Sequence, residues 1–206
     1  MSTRRVFLLS SLFAVPALQA AEATALLKEV RQRLTSEPVV RGAFEQRKTV
    51  KGFRNPLVSS GEFLVAQQRG VLWRTLQPFA STLVVTRDRV LARGADGSVA
   101  RKLSASEEPA VRAISETLFG VMAADLGALA QRFQIEGELV AREGWRLQLL
   151  PRDAALARWV QRVELEGDRF LRGVRLQEGS GDQTQIKLAS HTTSAKLGAD
   201  EETQFE

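Results

Sequence analysis

Between Phe44 and Val85 the chain repeats one pattern, a short apolar run followed by a cluster of turn residues. Phe44-x-Gln46, Gly61-x-Phe63, Val71-Leu72-Trp73-Arg74 and Leu83-Val84-Val85 are separated by Asn55-Pro56, Ser59-Ser60-Gly61 and Gln77-Pro78. The runs are rich in β-branched and aromatic residues and partly period-two, so Phe63 and Val65 share a face, as do Val71 and Trp73. This predicts a meander of antiparallel strands with large side chains on one face. Ahead of it, Val39 to Thr49 reads as a strand with Val40, Gly42 and Phe44 on one side and Arg41, Glu45 and Arg47 on the other.

Elsewhere the period changes. Ala23, Leu26, Leu27, Val30 and Leu34 recur at helical spacing, which predicts an amphipathic helix over residues 23–35, ended by Ser36-Glu37-Pro38. After Arg89 to Arg93, Asp96-Gly97 signals a hairpin into residues 98–103. Pro109 opens a second helix along Val111, Ile114, Leu118 and Phe119, and residues 123–133 make a third along Leu126, Leu129, Ala130 and Phe133. Strands resume at Phe133-x-Ile135, Trp145-x-Leu147-x-Leu149, Val160 to Leu165, Phe170 to Leu176 and Gln183 to Leu188. The sum is a mainly β (α+β) chain: about ten or eleven antiparallel strands in a single sheet, curled into a barrel or half-barrel, with helices over its mouth. A one-residue register slip exchanges the two faces of a strand, so the pattern leaves open which face lines the inside.

Composition sets the class. The chain has 206 residues, 44% hydrophobic and 26% charged, the profile of a globular domain with a sizeable core. Residues 1–20 read as a signal peptide: Arg4-Arg5, an apolar stretch from Val6 to Leu18, then Ala20, Ala21 and Ala23, with cleavage between 20 and 23 and one domain over 21–206. The arginine pair suits either an ordinary secretory leader or a twin-arginine signal. Loss of Arg4 and Arg5 takes the formal charge from +5 to +3. Acidic residues are interleaved with the arginines throughout, so no nucleic-acid partner is expected, and weak attraction to anionic lipid head groups is a milder use of the charge. There is no cysteine, hence no disulfide, no thiolate metal site and no acylated N-terminus. The expectation is an exported, soluble, monomeric protein of the periplasm of a Gram-negative bacterium.

Catalytic templates fail in turn. His191 is the single histidine and reads as a solvated residue at a strand end. The chain has no G-x-S-x-G, no phosphate-binding loop, and no ligand set for a metal or cofactor. Glu107-Glu108 and Glu201-Glu202 fall in helix-start and tail contexts, where solvation is the default. What is left is an apolar inventory that either fills its own core or holds something greasy. The chain is not expected to be an enzyme.

The ordered set Phe44-x-Gln46, Gly61-x-Phe63, Trp73, Pro78 and Leu83-Val84, followed by Ala124-Asp125-Leu126, Gly144-Trp145-x-Leu147-x-Leu149-x-Pro151 and Phe205, resembles the periplasmic outer-membrane lipoprotein carrier family, LolA. The resemblance implies an unclosed antiparallel barrel with a helical lid and a hydrophobic cavity for acyl chains. Its cargo would be an acylated lipoprotein or a related amphiphile, its donor an inner-membrane transporter and its acceptor an outer-membrane receptor. Carried onto this sequence, Phe44, Phe63, Val65, Val71, Trp73, Leu83 and Val85 would line the cavity, and Phe119 and Met122 would face it from the lid. The family places Arg-Pro ahead of the tryptophan as a lid latch; here Gln67-Gln68 stand there, and Arg69, followed by Gly70, is the candidate latch. Two rivals remain open: a periplasmic protein-interaction module with a filled core, and a carrier of a glycolipid or polyene product.

Overall fold

The computed structural model describes residues 15–86, 89–104, 119–120 and 125–205. Among these described residues, eleven strands make one antiparallel sheet. In chain order they are β1 (Val39–Thr49), β2 (Leu57–Ala66), β3 (Gly70–Gln77), β4 (Ser81–Val85), β5 (Arg89–Arg93), β6 (Val99–Ser104), β7 (Phe133–Val140), β8 (Gly144–Pro151), β9 (Val160–Gly167), β10 (Leu171–Glu178) and β11 (Gln183–Ser194). Two meanders, β1 to β6 and β7 to β11, join where β1 pairs with β11. The sheet does not close, because β6 and β7 are its two edges. Between those two edges in the chain, the described residues include helix α2 (Leu126–Arg132), with Phe119 and Gly120 also helical.

The other helices among the described residues are α1 (Val15–Arg33), α3 (Ala154–Ala157) and α4 (Ala199–Gln204). The expected leading helix exists and begins earlier, at Val15, running through the predicted cleavage region. The two short helices were not legible as periodic patterns, being under two turns long. Each instead has a local cap: the Asp153 carboxylate accepts from the Leu156 N–H, and the Glu201 carboxylate reaches back to the Gly198 N–H. Most of the predicted helix over 109–119 lies outside the described residues.

Strand alternation splits the apolar residues between two clusters. One lies on the concave face and runs across the sheet from β5 to β7, through Val90, Val85, Val71, Phe63 and Phe44 to Leu165, Leu147 and Ile135. Val30 of α1, fully buried, and Leu126 and Leu129 of α2 pack onto it. Arg33 fixes α1 by donating to the Gly144 carbonyl at 2.5 Å. The smaller cluster lies on the outer face of the first meander: Leu64, Leu72, Val84 and Leu91, covered by Phe205 after α4.

Gly42 is required by close approach. A Cβ there would stand 2.6 Å from the Phe63 ring and 2.6 Å from the Ala189 carbonyl oxygen, so β1 yields the space that Phe63 fills. Among the described residues no helix is long and apolar enough to cross a membrane.

Candidate functional site

The concave face is the candidate site. Strands β1, β2 and β3 place Phe44, Phe63 and Trp73 on it side by side, since Phe63 and Trp73 are directly paired across β2 and β3. Trp73 stacks on Phe44 with centroids 3.9 Å apart and lies 6.2 Å from Phe63. Val65 pairs with Val71, Val71 with Val85 and Trp73 with Leu83, extending the surface toward the open edge. Phe44, Phe63, Val65, Val71 and Val85 are buried, whereas Trp73, Leu83 and Phe119 are partly buried and pack against the same cluster. The structure thus brings together eight of the ten residues singled out in the sequence. Met122 lies outside the described residues. Arg69 is exposed in the turn between β2 and β3 and makes no side-chain hydrogen bond or ion pair among the described residues.

The aromatic row continues beyond what alternation along the chain predicts. The Phe63 ring meets His191 edge-on at 5.5 Å, and His191 stacks on Phe170 at 4.6 Å. The guanidinium groups of Arg169 and Arg172 sit 5.5 and 5.4 Å from the Phe170 centroid. The expectation of a solvated strand-end histidine is corrected: His191 is half-buried and doubly bonded. Its position follows from an irregularity in β11. Arg41 faces Thr192 and Ala43 faces Ala189, so two residues of β11 lie opposite Gly42, and Ser190 takes a left-handed φ of 53°. The bulge inverts the alternation and turns His191 onto the concave side.

Hydrogen bonding fixes the ring's state. Arg172 Nη1 lies 3.0 Å from Nδ1 and the Leu171 carbonyl 3.0 Å from Nε2. Arginine can only donate and a carbonyl can only accept, so Nδ1 accepts and the Nε2–H donates: the imidazole is neutral. Burial, and then the Arg172 charge, hold its pKa below the ordinary histidine value. Burial pushes the Asp168 carboxyl up, but the Phe170 N–H and Arg172 outweigh it, and its pKa lies below the usual range.

The second meander supplies half of the apolar face that the cavity assignment left out. Trp145, Leu147 and Leu149 alternate inward along β8, and the Trp145 indole N–H donates to the Asp168 carbonyl at 2.7 Å. Their period-two spacing was readable; their convergence on the first meander depends on how the sheet curls. The outer face is of another kind. Grooves of about 610 and 540 Å³ run across it, sharing Glu164, Arg175 and Gln185. Ion pairs such as Arg175–Glu164 and Arg146–Glu138 cross this surface, which suits solvent rather than an alkyl chain. Among the described residues no group of three or more His, Cys, Asp or Glu could hold a metal.

The family model described as outer membrane lipoprotein carrier protein LolA-like matches residues 19–204. No curated protein sequence matches the chain. Among solved structures, a putative outer membrane lipoprotein-sorting protein domain from Vibrio parahaemolyticus is 10% identical, with a TM-score of 0.50 over 90% of this chain and 99% of its own. A LolA superfamily protein from Nitrosomonas europaea is 11% identical, with a TM-score of 0.49 over 86% of this chain and 96% of its own. The Pseudomonas aeruginosa MucA/MucB complex contains a chain 16% identical, with a TM-score of 0.44 over 90% of this chain and 60% of that one. At such identities the likeness is one of fold.

Proposed function

The chain belongs to the LolA-like outer membrane lipoprotein carrier family, and from that premise we propose that it is a periplasmic carrier that shelters the acyl chains of a lipoprotein or related amphiphile on its concave face and moves them from the inner to the outer membrane. The observation that carries this reading is the continuous Phe44–Trp73–Phe63 surface, whose outermost members Trp73 and Leu83 are incompletely covered by the fold's own side chains. Burial of one C16 chain there would yield on the order of 10 kcal/mol before ordering costs. No catalytic step is needed for such a task. In this reading residues 1–20 are a leader removed on export, with donor and acceptor membrane proteins at either end of the route.

The test is native mass spectrometry of the protein purified from periplasm without detergent, with solvent extraction of the bound material. A bound amphiphile is expected in the wild type, and Trp73→Glu should abolish loading while the protein still folds and is exported. A Trp73→Glu protein that carries lipid as well as wild type would sink the cavity assignment. The rival reading, an interaction module with a filled core, draws on the near-complete burial of Phe63, Val65 and Val71. It predicts an empty protein that refuses a fluorescent acyl probe.

A further inference from the structure

Eight large hydrophobic side chains are exposed among the described residues, and seven of them lie at the same end of the sheet. The register shows why. Lys48 faces Leu57, Thr49 faces Gln183, Ser60 faces Gln77, Thr82 faces Arg93, and Glu178 faces Val160, so the loops that join or precede these strands form one row. That row carries Phe53 with Leu57 and Val58 from the β1–β2 connection, and Leu76 with Phe79 around the cis Gln77–Pro78 bond. Val99 flanks the β5–β6 turn, and Trp159 stands between α3 and β9. The exposures are large: 82% for Phe79, 69% for Phe53 and 54% for Trp159. Leu139, at the far end of β7, is the eighth. From β4 to β9 the row crosses seven neighbouring strands, about 30 Å at the usual strand spacing.

Among the described residues charge on this end is positive overall: Lys48, Lys51, Arg54, Arg93, Arg152 and Arg158 stand against Glu178, Asp182, Asp153 and Asp96, and those four carboxylates are hydrogen-bonded or paired within the fold. Lys51, Arg54 and Arg158 are exposed and make no side-chain hydrogen bond or ion pair among the described residues. Asp182 accepts from the Lys51 N–H, and a Cβ at Gly179 would strike the Arg158 carbonyl, so the loops bearing these cations adjoin one another. Aromatic side chains in loops, interleaved with unpaired cations around one rim of the sheet, match the chemistry of an anionic bilayer surface: rings enter the headgroup boundary while basic groups meet lipid phosphates.

We propose that this loop row is a membrane-docking rim that rests reversibly on anionic phospholipid. The rim lies outside the Phe44–Trp73–Phe63 surface, and its action is separable from cargo binding. Co-sedimentation of the purified full chain with phosphatidylglycerol vesicles and with phosphatidylcholine vesicles tests it. Preferential binding to the anionic vesicles, weakened by salt, is expected, with a vesicle-induced blue shift of fluorescence that Trp159→Phe removes. Phe53→Ser with Phe79→Ser should weaken binding by more than tenfold. Lys51→Glu with Arg54→Glu should weaken it by at least about tenfold on anionic vesicles alone. Leu139→Ser, at the opposite end, should leave it unchanged. Trp73→Glu should bind vesicles as wild type does even if it loses cargo, so the rim and the carrier reading fail separately. The proposal is overturned if anionic vesicles are not bound, if Leu139→Ser weakens binding as much as the Phe53 and Phe79 pair does, or if the rim instead holds two copies together in a dimer that these substitutions disperse.

Discussion

At Nδ1 of His191 the guanidinium of Arg172 leaves no place for a proton, and a charged ring would also sit half-buried between Phe63 and Phe170. The folded pKa is therefore below the ordinary value of about 6.5. Below that pH the unfolded chain takes up a proton that the folded chain resists, so stability falls as pH falls through this region. Glu201 and Asp168 also have lowered pKa values, but their ordinary values lie near 4, so their contributions are lost at more acidic pH. Thermal melts between pH 7 and 5.5 should show a decline in the wild type that is flatter in His191→Gln. Parallel curves would mean that the ring is not held neutral.

At the scale of elements, α4 acts as a clasp on the outer face of the first meander. Arg41 grips Glu201 with two donors, at 2.6 and 2.5 Å, and Arg74 donates to Gln204. The expectation of a solvated tail at Glu201-Glu202 is corrected for Glu201, whose carboxyl is drawn below its usual pKa chiefly by the Arg41 hydrogen bond. The polar grip is partly solvated, so Glu201→Gln should cost less than about 1 kcal/mol. Phe205 is buried against Leu64, Leu72 and Val84, and Phe205→Ala should cost about 3–4 kcal/mol. Denaturant titration of the two variants separates these contributions; equal costs would contradict the assignment of α4's hold to packing.

For the molecule as a whole, an open sheet whose concave face is shared by two meanders and two helices gains stability from whatever fills it. An acyl ligand at a hundredfold its Kd should add about 2.7 kcal/mol, raising Tm by about 5–10 °C for a domain of this size. A ligand that binds with no change in Tm would place its site away from the core. The same ligand should leave the Trp73→Glu variant unshifted.

Local rules were enough for much of this. Alternation in Phe63-x-Val65, Val71-x-Trp73 and Trp145-x-Leu147-x-Leu149 specifies strands, helical spacing specifies the segment bearing Val30, and the absence of cysteine and of any catalytic pattern narrows the chemistry, because each depends on near neighbours in the chain. The open, unclosed sheet was legible through the family resemblance, which encodes long-range pairing. Other features required the tertiary structure. Which face of β11 points inward changes at Ser190, where a bulge opposite Gly42 reverses the alternation, and no sequence period reports that reversal. Glu201 finds Arg41 across 160 positions of chain. The row formed by Phe53, Phe79, Val99 and Trp159 exists because antiparallel pairing brings the ends of distant hairpins into one line. Side-chain period is a property of adjacent residues; register, bulges and the curl of a sheet are set by the partner strand.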